Sequence, residues 1–328
     1  MYLKPLRIKN LTLSSNLFLA PMAEITNYPL RIIALKNGCD MVISEMVSSN
    51  ALFYKNKKTL GMIKVRDDRP ICIQIFGSDP DIMTYASILV EENGADMVEV
   101  NAWCPVKKIV KTGSGSSLLK NPLLLSSIVY SIARRVKIPV SVKIRTGIDE
   151  KNKNAIEIAK IIEESGASMV HIHLRTVSQG HSGNVDYEIA GEIKSKIKIP
   201  LIVNGGVTDP KKAIEMFKKT GADGISIARG FISNPYIFED IKKYINEGKV
   251  IERKASEKAN LFQEYLKLAA KEFGEKWAIV NSRRIAGMWI SGFRNATDFR
   301  NRYMKVQTLD EALRIIEEIK VSRMAGII

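Results

Sequence analysis

At 328 residues and 45% hydrophobic content, the chain can form one large α/β barrel with an appendage or two ordinary domains, with a sizeable core in either case. Three scattered cysteines exclude a disulfide framework, no metal-ligand spacing appears, and neither an apolar leader nor a run of ~18 apolar residues marks a signal peptide or a membrane span. The net charge of +15 suits a polyanion such as nucleic acid, and the expected location is the cytoplasm.

From the N-terminus to about residue 246, β-rich runs alternate with helical patterns, which is the mark of parallel βα units. Eight strands are predicted: Asn16–Ala20, Met41–Ser44, Ile71–Phe76, Met97–Asn101, Val140–Ile144, Met169–His173, Leu201–Asn204 and Gly224–Ala228. The even-numbered strands each follow a glycine turn, at Gly38, Gly94, Gly166 and Gly221, where glycine ends the preceding helix in a left-handed cap. The third, fifth and seventh are entered through Pro70, Pro139 and Pro200. Repeated βαβα quarters close on themselves, so the expected fold is an α/β (β/α)8 TIM barrel rather than an open doubly wound sheet.

After Lys249 the strand signal stops. Ser256–Phe273, Trp277–Ile290 and Thr308–Lys320 have helical spacing and cap-like starts, so residues 1–249 read as the barrel and 250–328 as a helical domain. Arg283, Arg284, Arg294, Arg300 and Arg302 lie on and between two of these helices.

In such a barrel the active site lies at the C-terminal strand ends. Those ends carry Pro21-Met22-Ala23, Ser44-Glu45-Met46, Gln74, Asn101 through Cys104, Lys143 with Arg145, His173 with Arg175, Asn204-Gly205-Gly206 and Ala228-Arg229-Gly230, a polar ring that core packing does not require. Cys104 follows a polar strand end, is stopped by Pro105, and is trailed by Lys107, Lys108 and Lys111, cations able to favour a thiolate or an anionic ligand. Cys39 and Cys72 read as small buried hydrophobes. Gly205-Gly206 and Arg229-Gly230, after the seventh and eighth strands, suit a phosphate through bared amides, an arginine and a nearby helix start. Lys143 in the barrel mouth is a cation for an anionic reduced cofactor, and Gln74 offers a donor and an acceptor to an amide-like ring edge. A phosphate plus a flat heteroaromatic ring suggests FMN, and no G-x-G-x-x-G opens a βαβ unit for a Rossmann-type dinucleotide.

Leu19-Ala20-Pro21-Met22-Ala23, Ser44-Glu45-Met46, Gln74–Gly77, Asn101–Lys108 with Gly113–Leu119, Val142–Gly147, His173–Thr176, Asn204-Gly205 and Ala228-Arg229-Gly230 together resemble the tRNA-dihydrouridine synthase family, in order over about residues 5–245. The resemblance implies an FMN-bearing barrel with a small helical RNA-binding domain that reduces the C5–C6 double bond of uridine in tRNA, or another structured RNA, using NADPH or NADH. Its scheme delivers a hydride to C6 and a proton from the loop cysteine, here Cys104, to C5. A thiol of reference pKa ~8.5 stays protonated for that task. Carried over by position, Pro21, Met22, Ala23, Gln74, Lys143, His173, Asn204, Gly205, Gly206, Ala228 and Arg229 hold FMN, while Asn101, Arg145 and Arg175 face the uracil. No metal, membrane or DNA is expected.

The chain departs from the family pattern at Trp103, where glycine is usual before the cysteine, and at Gly206, Leu174 and Ala228, and its helical part shows Arg283-Arg284-Ile285 and Met288-Trp289 in place of a histidine and an aromatic pair. These changes bear on substrate choice rather than on cofactor binding. The rival readings are an FMN barrel reducing a small conjugated carbonyl without RNA, and an RNA-binding barrel without catalysis.

Overall fold

The computed structural model describes residues 2–291 and 294–321. An antiparallel hairpin, β1 (Leu6–Ile8) and β2 (Leu11–Leu13), precedes eight parallel strands: β3 (Leu17–Leu19), β4 (Met41–Ser48), β5 (Ile71–Phe76), β6 (Met97–Asn101), β7 (Val140–Arg145), β8 (Met169–His173), β9 (Leu201–Asn204) and β10 (Gly224–Ile227). They pair in sequence order and β10 returns to β3, which closes the barrel. The eight predicted strands are all present. β4 runs four residues beyond its predicted end, through a register shift between Ile43 and Met46, and Ser48 then caps the next helix by accepting from the Ala51 amide. Gly38, Gly94, Gly166 and Gly221 all have positive φ, as left-handed helix ends require. Among the described residues no helix is long and apolar enough to cross a membrane.

Alternation along each strand divides the core in two. Ile71, Ile73 and Ile75, Val98 and Val100, Val142 and Ile144, and Val170 and Ile172 pack with the surrounding helices. The alternate residues Phe18, Met41, Cys72, Met97, Met169 and Ile202 join Leu6, Ile8 and Leu13 of the hairpin in a second apolar cluster. The hairpin thus plugs the N-terminal end of the barrel. Its three-residue strands, turning at Lys9 with φ 54°, carry too little pattern to be read from sequence. Further along β5 to β8 the same inward row becomes polar, with Gln74, Glu99, Lys143 and His171, all buried. One step on lie Asn101, Arg145 and His173, with Asn204 beside His173 in register.

The helices Ala255–Phe273, Glu275–Trp289, Ala296–Tyr303 and Leu309–Lys320 follow. Phe262, Tyr265, Trp289 and Tyr303 form their aromatic core, with ring centroids 5.1–6.1 Å apart, and Ser282 shares a 2.8 Å hydrogen bond with the Tyr303 hydroxyl. The short helix Ala296–Tyr303 lies outside the predicted set because its segment is mostly polar and buries only Phe299 and Tyr303. Asn27 bonds to the Tyr265 hydroxyl at 3.3 Å, and ion pairs Lys36–Glu264 and Arg66–Glu272 fasten the first of these helices to the barrel.

Candidate active site

At the C-terminal strand ends a cavity of about 720 Å³ opens, within the range of small-molecule and cofactor sites. Of the residues singled out from sequence, Pro21, Met22, Ala23, Gln74, Asn101, Cys104, His173, Arg175, Asn204, Gly205, Gly206, Ala228 and Arg229 line it together. Lys143 and Arg145 do not. Lys143 lies one layer lower, fully buried, its Nζ 2.7 Å from His171 Nε2 and 5.0 Å from the ring centre of Trp103. Arg145, also fully buried, donates from Nε to Trp103 O at 3.0 Å and from Nη1 to Thr176 O at 2.8 Å and Gly180 O at 2.7 Å.

The cysteine loop is held from within. Asn101 Oδ1 accepts from the amides of Trp103 at 3.3 Å and Cys104 at 3.1 Å, and the Ser116 amide closes back on Cys104 O at 3.0 Å. Gly115 permits that closure: its φ is +61°, and a Cβ there would stand 2.8 Å from Cys104 O. Burial pushes the Cys104 thiol above its usual value, against a hydrogen bond from the Val106 amide and the Arg145 charge. Lys107, Lys108 and Lys111, expected from sequence to favour a thiolate, are all solvent-exposed, and the cation that lowers the thiol is Arg145. The group is therefore a neutral thiol, suited to give a proton rather than to attack.

Opposite the loop, Asn204 ends β9 and Gly205 and Gly206 follow it, and the turn at Ala228 lacks a side-chain cap. Gly230 packs so close that a Cβ would meet Val207 O at 2.1 Å. Arginines fasten the segment 176–183 across the mouth: besides Arg145, Arg175 Nε donates to Gly183 O at 3.0 Å and Arg229 Nη2 to His181 O at 2.7 Å. His181 on this segment and Met288 on the helix Glu275–Trp289 also line the cavity, neither marked by any strand-end signal. Trp103, His173 and His181 meet with ring centroids 5.9–6.3 Å apart.

The charge states follow from burial and neighbours. Burial, then Arg145, Lys143 and Arg175, push His173 far below the usual histidine range, so it is neutral at physiological pH. Burial lowers Lys143 to about 7, with Glu99 opposing and Arg145 reinforcing the shift. The unfolded chain therefore holds more protons than the folded one between about pH 7 and the ordinary lysine value near 10.5, and this group's contribution to stability rises with pH across that window and is lost as pH falls through 7. The unfolding free energy from urea titrations is expected to rise more between pH 6.5 and 9 for the native chain than for Lys143→Met, by up to about 1.36 kcal/mol per pH unit. An equal pH response in both chains would show that Lys143 is not titrating there.

Several buried polar atoms at the cavity lack protein partners, namely Trp103 Nε1, His173 Nδ1, Ser226 Oγ and Arg145 Nη2. Such orphans, beside a glycine cradle and above a row of amides and cations, fit a ligand with a polar heteroaromatic ring and an anionic group. A flavin meets that description.

The family model for dihydrouridine synthase matches residues 18–325. The chain is 35% identical over 319 residues to a probable tRNA-dihydrouridine synthase of Rickettsia conorii, covering 96% of this chain and 95% of that one. It is 35% identical over 299 residues to tRNA-dihydrouridine synthase B of Pseudomonas putida, covering 90% and 89%. Among solved structures, an old yellow enzyme homologue from Zymomonas mobilis superposes with a TM-score of 0.57 at 14% identity, over 76% of this chain and 94% of that one. Histamine dehydrogenase from a Rhizobium species gives 0.58 at 13%, over 81% and 51%. At those identities the structural likeness concerns the barrel alone.

Proposed function

Because this chain belongs to the dihydrouridine synthase family and is a flavin-dependent oxidoreductase that reduces uridine in tRNA, we propose that its flavin is FMN, that NADPH reduces it, and that Cys104 is the proton donor. The observation that carries this reading is one cavity walled on one side by a neutral thiol and on the other by the Asn204–Gly206 and Ala228–Arg229 turns. Residues 1–249 are the catalytic part and 250–328 the RNA-binding part, acting in the cytoplasm.

Pro21, Met22 and Ala23 give one apolar wall, Gln74 and Asn204 the amides for the ring edge, and Gly205, Gly206, Ala228 and Arg229 the phosphate cradle. His173 offers a ring nitrogen, and Lys143 a cation beneath the floor. When bound, the flavin supplies the hydride for uracil C6. Asn101 orients the loop and the base, Arg175 faces the cavity beside it, and Cys104 delivers its proton to C5 from the loop side. The purified protein is expected to be yellow and to release FMN on acid precipitation, with Arg229→Ala weakening flavin retention more than it lowers the melting temperature. Release of FAD, or of no flavin, would refute the cofactor assignment.

RNA recognition draws on exposed cations. Arg284 is exposed and paired with Glu24, and Arg294 is exposed, whereas Arg283 is half-buried and donates to Val306 O at 3.0 Å, so it braces the helices instead of meeting phosphate. Affinity for tRNA is expected to fall steeply with salt, and Arg294→Ala to lower the log–log salt slope by roughly one while Arg283→Ala chiefly lowers stability. Affinity that does not change from low to moderate salt would favour the small conjugated carbonyl as substrate.

A further inference from the structure

Beneath the cavity floor lie two side chains for which the reaction scheme has no use. Glu99 and His171 are fully buried, neither lines the cavity, and His171 Nδ1 stands 2.8 Å from Glu99 Oε2. The inward row at the lower end of their strands is apolar, Met97 and Met169, so packing alone asks for apolar residues here too. A buried charge that serves only to fill space is costly, and apolar residues of similar volume do that as well or better.

Hydrogen bonds lead away from Glu99 in two directions. On one side His171 Nε2 meets Lys143 Nζ at 2.7 Å. On the other, Gln74 Nε2 donates to Glu99 Oε1 at 2.8 Å, Asn101 Nδ2 donates to Gln74 Oε1 at 2.8 Å, and Asn101 Oδ1 receives the amides of Trp103 and Cys104. Ser141 adds a donor to Oε2 at 3.2 Å.

The polarity of both arms follows from chemistry. The ionised Glu99 carboxylate only accepts, so the His171 ring proton sits on Nδ1, facing it, and Nε2 is left to accept from Lys143. A carboxylate only accepts, so Gln74 must turn its nitrogen to Glu99 and its oxygen to Asn101. Asn101 must then show its oxygen to the two loop amides, since the reversed amide would set acceptor against acceptor at Gln74 and donor against donor at Trp103 and Cys104. Burial alone would raise the Glu99 carboxyl, but His171, Lys143 and Gln74 outweigh it and hold it below the usual range, which keeps it ionised. Burial and the Lys143 charge lower His171 to about 4, so the bridging ring is neutral.

We infer that Glu99 is the positioning residue of this site: through His171 it holds the Lys143 cation, and through Gln74 and Asn101 it sets the loop that presents the Cys104 thiol. One buried carboxylate thereby orients the cationic and the acidic partner of the reaction, which sit on opposite arms. The assignment rests on the flavin-dependent uridine reading of the cavity.

Glu99→Gln tests it, because the glutamine keeps the shape but offers one acceptor and one donor where two acceptors are needed. If its oxygen stays on the histidine side, its nitrogen opposes Gln74 and the cysteine arm breaks. If it turns over, it donates to His171 Nδ1, moves the ring proton to Nε2 against Lys143, and breaks the lysine arm.

Three readouts on the full chain separate these cases: nitrogen NMR of the histidines, only three in number, in flavin-free protein; the midpoint potential of the bound flavin; and kcat and KM for tRNA. The native chain is expected to show His171 protonated at Nδ1. Glu99→Gln is expected to lose one arm: either the ring proton stays and kcat for tRNA falls roughly 10–100-fold at unchanged potential, or the ring proton moves and the potential falls. His171→Gln preserves an acceptor toward Lys143 and a donor toward Glu99, and is expected to restore the potential that His171→Leu lowers. A native His171 protonated at Nε2, a Glu99→Gln chain with unaltered potential and kcat, or equal behaviour of His171→Gln and His171→Leu would each overturn the inference. Should His171→Leu not fold, the Glu99→Gln readouts decide. A protein that takes up no flavin refutes the cofactor reading, while the spectrum of flavin-free protein still decides this one.

Discussion

Cys104→Ala is expected to keep its flavin and to accept electrons from NADPH at the native rate, yet to lose tRNA turnover by ~10²–10⁴, the usual contribution of a positioned general acid. The thiol lies in the cavity wall, it is only 6% exposed, and burial keeps it protonated. Removing it takes away a proton source without touching the cradle at Asn204–Gly206 or the Lys143 layer. The loop itself should hold, since the backbone groups that fix residue 104 are its amide, to Asn101, and its carbonyl, to Ser116, both independent of sulfur. Stopped-flow reduction by NADPH and single-turnover oxidation by tRNA separate the two half-reactions. Native single-turnover rates with tRNA would remove Cys104 from proton delivery. Equal losses in both halves would instead point to a distorted cavity.

Much of this arrangement is legible in the sequence because barrel strands advertise themselves twice, through apolar runs and through the glycine turns that end the preceding helices. β5, β6, β8 and β9 fall within their predicted bounds for that reason. Depth is not legible. Lys143 and Arg145 sit on a strand end as expected, but whether such a side chain reaches the cavity or stops beneath it depends on what fills the layer above, here the Trp103 ring. Glu99 and His171 escape a reading confined to strand ends, because they lie inside β6 and β8. A signal was present: in Val-Glu-Val-Asn and Val-His-Ile-His a titratable residue recurs with period two inside a strand buried on both faces, which marks an inward polar row. His181 gives no such signal, since its place depends on arginines at the end of β7 and just beyond β8 and β10 gripping the carbonyls of one loop.

Arg145 shows what that grip is worth. The family resemblance turns it toward the uracil, yet its guanidinium uses two of its three nitrogens on the carbonyls of Trp103, Thr176 and Gly180, thereby tying the cysteine loop to the segment across the mouth. Burial lowers it to about 10, so it remains a cation at neutral pH and each bond is charge-assisted. Arg145→Ala leaves three carbonyls in a closed space. Bonds to a charged donor contribute ~1.5–3 kcal/mol each and are not additive when they share one group, so a loss on the order of 3 kcal/mol is expected. For a chain of this size that is a fall in Tm of roughly 4–5 °C. Arg145→Lys keeps the charge but places one compact ammonium where a planar fork spans three acceptors, so it should recover less than half of the loss. Nη2 is buried without a protein partner. Melting measured without RNA therefore separates the roles: an unchanged Tm with a raised KM for tRNA would make Arg145 a base contact alone, whereas the expected fall in Tm, with kcat lowered as the Cys104 loop loosens, makes it first a strut between the two loops.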